Sequence, residues 1–179
     1  MNPDVPATVE QVVAAERIVL GAMMTAADAV KAVDGIVTAA DFYRSAHATI
    51  HAAIVALHDG DQPHDPVAVA AHLNDGTLTR VGGMPYLSEC YAAVPTAANA
   101  AHYARLVAGA ASLRRLDAAA ARIAQLARTS PPGDAPTALE TARDLIARLG
   151  DTGGPAALTT WKALTPVVLE AMEQSNLTG

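Results

Sequence analysis

Between Pro95 and Pro131 the chain carries no proline and a single glycine, Gly109. Such a stretch reads as one long helix, because the residues that most often end helices are missing from it. From Ala97 to Arg128 this predicts roughly 30 helical residues, about 45 Å at 1.5 Å rise per residue. The segment from Thr129 to Pro136 then turns the chain with Pro131, Pro132, Gly133 and Pro136. Beyond it Thr137 is placed to cap a second helix, with Leu139, Ala142, Ile146 and Leu149 on one face and Glu140 completing a capping box. Two helices joined this way form an antiparallel hairpin. Its long arm is expected to extend past the small bundle formed by the rest of the chain.

The preceding sequence is helical as well, and no convincing alternating strand interrupts it. Thr8 caps a first helix to about Met24, with Val9, Val12, Val13, Val19, Leu20 and Met23 on the apolar stripe. Glu16 falls inside that stripe, so it requires a buried partner. A turn of helix follows Asp28. The Asp41-Phe42-Tyr43 segment opens a helix to about His58, which Asp59-Gly60-Asp61-Gln62-Pro63 stops. Asp65-Pro66 starts another, with the carboxylate as N-cap and proline in the first turn. It ends near Leu73, before Asn74-Asp75-Gly76. Gly82-Gly83 leads into a helix carrying Tyr86, Leu87 and Val94, which Pro95 breaks before Thr96 caps the long helix.

With aromatics at 3% of the chain, the core must come from aliphatic side chains and alanine. Phe42 and Tyr43 are expected to anchor it. Two lysines, Lys31 and Lys162, and a net charge of -6 leave no basic surface for tight DNA contact. Cys90 is alone, so no internal disulfide forms, which suits a reducing compartment. No apolar run of about 18 residues spans a membrane, and Met1 to Asp4 has no secretory-signal character. A cytoplasmic protein is expected.

Catalytic motifs are few. His47 and His51 have the i, i+4 spacing of a helical metal pair, and His58 lies on the same side. A zinc hydrolase would carry glutamate where Ala48 stands. Tyr43, Ile50, Ile54 and Leu57 share the stripe, which favours core or boundary histidines. Gly82-Gly83 lacks the Lys and Ser/Thr of a phosphate-binding loop, and no serine sits in a nucleophile elbow. No catalytic residue and no metal or cofactor ligand is therefore assigned. Arg114, Arg115 and Arg122 on the long helix are candidate partner contacts. The alanines Ala108, Ala111, Ala118 and Ala119 are expected on its exposed back, where they would permit close helix approach.

Several short motifs, in order, carry more than composition does. Glu16-Arg17-Ile18-Val19-Leu20-Gly21-Ala22-Met23-Met24, Asp41-Phe42-Tyr43 with His47 and Ile50, and Gly60 with Pro63 and Asp65 come first. Leu73, Gly76, Leu78, Gly82-Gly83, Tyr86-Leu87, Pro95, Ala98-Asn99-Ala100, Tyr103-Ala104 and Arg114 follow. Over roughly residues 8–130 this set resembles the N-terminal domain of DnaB-type replicative DNA helicases. The resemblance implies an all-α fold: a compact bundle (8–100), a long antiparallel helical hairpin (101–149), and a flexible linker (150–179) with a docking helix. Trp161, Leu164 and Val168 are that helix's expected contacts, and Pro166 kinks or shortens it.

In function the resemblance implies a collar module of a replicative helicase. It would act in DNA replication by homo-oligomerisation, from dimer to hexamer, and by recruiting primase and a helicase loader. Single-stranded DNA would be met only indirectly, and no membrane is involved. ATP and Mg would belong to a motor domain that the chain lacks, so the parent would resemble an ATP-dependent helicase while this piece performs no catalysis. A fragment, or a gene truncated at the domain boundary, would have this appearance. The alternatives are a free-standing phage or plasmid replication adaptor that binds host helicase or primase, and a metal hydrolase built on His47 and His51.

Overall fold

The computed structural model describes residues 8–151. Among these there are eight α-helices and no strand: α1 Val9–Thr25, α2 Ala27–Val33, α3 Ser45–Asp59, α4 Pro66–His72, α5 Asp75–Arg80, α6 Gly83–Ala92, α7 Ala100–Thr129 and α8 Ala135–Asp151. Short 3-10 turns at Ala39–Asp41, Ala97–Asn99 and Pro132–Asp134 connect them. The chain divides into two compact units within α7, between Leu113 and Arg114.

In the first unit α1 is the central helix, packed on α2, α3 and α6, while α4 packs on α3 and α6. Thr8 caps α1 reciprocally with Gln11, satisfying two of the amide groups a helix start leaves unpaired. Val19, Leu20, Ile50, Ile54, Val69 and Leu87 are fully buried. Ala100, Ala104 and Val107 bring the first turns of α7 into the same core. Gly21 is where α1 and α6 meet most closely. A Cβ there would lie 2.1 Å from the Cys90 carbonyl oxygen and 2.4 Å from a Val94 methyl. Gly82 and Gly83 turn into α6 at φ 104° and 72°, the left-handed region that glycine occupies without strain.

Several local expectations are corrected. Asp41 does not open α3. Its carboxylate accepts hydrogen bonds from the Thr38 amide (2.7 Å) and hydroxyl (2.9 Å), which closes the 3-10 turn before it, and α3 starts at Ser45. In the extended stretch between, neighbouring side chains point to opposite sides. Phe42 is buried, whereas Tyr43 is 50% exposed and is no core anchor. α4 ends at His72, before Asn74-Asp75-Gly76 as expected, but a further helix follows at once: the Asn74 side chain accepts from Thr77 N at 2.9 Å and caps α5. Val9 is exposed at the edge of the α1 stripe, and Val94 lies just beyond α6.

The second unit contains the later turns of α7 and all of α8, an antiparallel helical hairpin. Its burial follows one stripe on each helix: Ala119, Ile123, Leu126 and Ser130 on α7, and Ala138, Ala142, Leu145 and Leu149 on α8. Steps of three and four residues are the spacing of two helices that cover each other along a seam. Ala111 and Ala119, expected on the exposed back of α7, are instead buried. Ala118 is exposed and Ala108 half-buried. Thr137 is not a cap, because α8 starts at Ala135. Pro136 sits in the first turn, where its missing amide hydrogen costs nothing. α8 also runs through Gly150 to Asp151.

Candidate functional site

Two places could carry function: a polar cluster buried in the bundle, and the outer face of the hairpin. The cluster starts from Glu16, which α1 carries on its core-facing stripe with 0% exposure. His47 of α3, also 0% exposed, brings Nδ1 to 2.6 Å from the Glu16 carboxylate and Nε2 to 2.6 Å from the Tyr86 hydroxyl. Arg44 Nη1 donates to that hydroxyl at 3.0 Å, and its guanidinium lies 5.7 Å from the Tyr86 ring centre. The Tyr43 amide donates to the second Glu16 oxygen. One proton assignment satisfies every atom. His47 Nδ1–H donates to Glu16, His47 Nε2 accepts from Tyr86 O–H, and the phenol oxygen accepts from Arg44.

The expected partner of Glu16 is therefore found: a histidine and a backbone amide. Carboxylate, imidazole and hydroxyl in this order can activate a nucleophile. Here the hydroxyl is a phenol engaged by Arg44, and the acid and imidazole are sealed from solvent. The cluster works as a cross-link between α1, the extended segment before α3, α3 itself and α6. Low surrounding dielectric strengthens such bonds and makes each unmade one costly. Both ring nitrogens of His47 are occupied, so it has no lone pair to share with His51 in a metal pair. No group of three or more metal-ligating side chains exists among the described residues.

Burial sets the remaining chemistry nearby. Desolvation raises the Tyr86 phenol above its ordinary value, with neighbouring Cys90 adding to the rise and Arg44 and Arg17 opposing it. The buried Cys90 thiol is pushed up to about 11, first by desolvation, so it stays protonated and unreactive. His51 is lowered by desolvation, against an opposing pull from Asp41.

The hairpin face is different in kind. Leu116 on α7 is 52% exposed, and Leu139 and Ile146 on α8 are each 59% exposed. Of the four residues expected on one face of α8, Ala142 and Leu149 are half-buried while Leu139 and Ile146 are exposed. Arg114 and Arg115 are half-buried, and Arg122 donates to Gln125 at 2.9 Å. Of the three, Arg122 alone is exposed. The outward leucines and isoleucine were missed as contacts, because a hydrophobic residue at helical spacing reads first as core. Trp161, Leu164 and Val168 lie outside the described residues.

Comparison with known proteins gives a consistent result. Residues 8–109 match the family model described as DnaB-like helicase N terminal domain. The Replicative DNA helicase DnaB of Mycobacterium leprae is 47% identical over 116 residues, 64% of this chain and 19% of the relative. That of Treponema pallidum is 34% identical over 171 residues, 92% of this chain and 39% of the relative. The chain thus spans between about a fifth and two fifths of these relatives' length. The crystal structure of the N-terminal domain of DnaB helicase from Mycobacterium tuberculosis is similar with a TM-score of 0.71 and 40% identity. It covers 76% of this chain and 96% of that one.

Proposed function

The chain belongs to the family of DnaB-like helicase N-terminal domains, and from that premise we propose that it is a collar module in DNA replication. It associates with copies of itself, from dimer towards hexamer, through the outer face of the hairpin, and it recruits primase or a helicase loader to the assembly. The exposed apolar side chains Leu116, Leu139 and Ile146 carry this reading. They lie off the half-buried stripes of their own helices, and we assign them to another chain. Exposed large apolar side chains mark candidate association surfaces.

The exposed Arg122 supplies positive charge on α7, suited to an acidic stretch of primase, with Arg114 and Arg115 as further candidate contacts. Catalysis is not part of this piece. ATP and magnesium chemistry would belong to a motor domain outside these residues, and contact with single-stranded DNA would be indirect. No helix among the described residues is long and apolar enough to cross a membrane, and the proposed setting is the cytoplasm. Titrating the C-terminal domain of the cognate primase into the chain tests the reading by calorimetry. Saturable binding that Arg122→Glu weakens is expected. No heat at high concentration of both partners would contradict it.

A further inference from the structure

A cleft of about 680 Å³ opens between α2 and α3. We propose that it is a docking site for an amphipathic helix of a partner protein, with a tryptophan or tyrosine as its buried anchor and lysine or arginine beside it.

The cleft is of the size that takes a ligand or an anchoring side chain, roughly 300–1,000 Å³. Its wall is apolar, formed by Met23 of α1, Val30 and Val33 of α2, Val37, and Val55 of α3. Thr38 and His58 also line the cleft, but the buried polar side chain in its wall is His51. His51 is 7% exposed, lines the cleft, and holds Nδ1 buried without a hydrogen-bond partner. A buried polar atom left unmet costs its desolvation, so the fitting occupant supplies the missing bond while filling apolar space. Burial lowers the His51 pKa, so the ring is neutral near pH 7 and presents one donor and one acceptor nitrogen. An indole N–H or a phenol O–H matches it, and the attached ring matches the valines. A leucine anchor would fill the space and leave the nitrogen unmet.

The rim sets the charge of the partner. Asp34 and Asp59 stand at the cleft, and the one lysine there, Lys31, lies 3.9 Å from the Asp28 carboxylate. Asp34 and Asp59 have no ion-pair partner among the described residues. An approaching helix with basic flanks is favoured over an acidic one.

The test uses chain 1–179 and a fluorescein-labelled model helix of about 18 residues, roughly five turns, made of leucine, alanine and lysine with one central tryptophan. Fluorescence anisotropy should show saturable binding. Replacing the tryptophan by leucine should weaken it about tenfold, as should D34K/D59K in the protein. Ala56→Arg, at an exposed position of the cleft, should abolish it while circular dichroism and the melting temperature stay unchanged. Equal affinity for the tryptophan and leucine peptides would overturn the proposal. So would indifference to Ala56→Arg, loss of binding on L139D/I146D in the hairpin, or binding of free indole with no preference for the helix. Failure at the cleft leaves the association of the hairpin standing, since no residue is shared.

Discussion

The bundle and the hairpin use apolar residues in opposite ways. In the bundle, Val19, Leu20, Ile50, Ile54 and Leu87 are fully enclosed, and a sealed polar cluster ties four segments together. In the hairpin, alanines and part of the leucine content fill the inner seam, while Leu116, Leu139 and Ile146 face outward. The first unit encloses a continuous core, although Val67, Tyr91 and Leu113 stay exposed on it. The second carries its exposed apolar residues on two helices with few fully buried side chains of their own. A protein can thus separate what holds it together from what it assembles with, and mutations in the two regions should fail differently.

The largest effect on stability is expected at the bundle's polar cluster. Glu16→Ala leaves His47 and the Tyr43 amide unmet and should cost about 3–5 kcal/mol, read as a lower urea midpoint with association of the surviving folded fraction unchanged. Gly21→Ala forces a methyl into the Cys90 carbonyl and should cost about 3 kcal/mol. A wild-type melting curve for either variant would break the contrast from the bundle side. Tyr86→Phe removes one hydroxyl and leaves His47 Nε2 without its donor, for about 1–2 kcal/mol.

On the hairpin the expected signs reverse. L139D/I146D should leave the unfolding free energy of the bundle within about 0.5 kcal/mol of wild type, while self-association weakens strongly in sedimentation experiments. A variant that instead melts early would show that these residues belong to a core.

The smallest effect concerns pH. His51 has a folded pKa below its ordinary 6.5, so unfolding takes up a proton once the pH drops beneath that value. Its contribution to stability is complete above about pH 6.5 and is lost as the pH falls towards the folded value. Wild type should therefore lose more stability between pH 7 and 5 than His51→Leu does. Parallel profiles in denaturant titrations would contradict this assignment.

Much of this contrast was legible in the sequence, though unevenly. Thr8, Asp65-Pro66 and Gly82-Gly83 announce their elements because capping and positive φ have specific chemical requirements. Glu16 on an apolar stripe announced a buried partner, and His47 is that partner. Asn74-Asp75-Gly76 hid α5, since the residues that make a turn also cap a helix. Tyr43 was misplaced because adjacent residues in an extended segment part to opposite sides, and the sequence does not mark which one faces in. In α8 the positions 138, 142, 145 and 149 compete with 139 and 146 for the inner seam. Both sets are apolar at helical spacing, and only the partner helix chooses between them.

Self-association is proposed to run through the hairpin and not through the bundle. Light scattering of chain 1–179 over a range of concentrations tests it most directly, alongside L139D/I146D. The account predicts a wild-type mass of at least twice the single chain that rises with concentration, and a folded, single-chain mass for the variant. A wild-type protein that stays at single-chain mass at the highest concentration, or a variant that associates just as well, would contradict it.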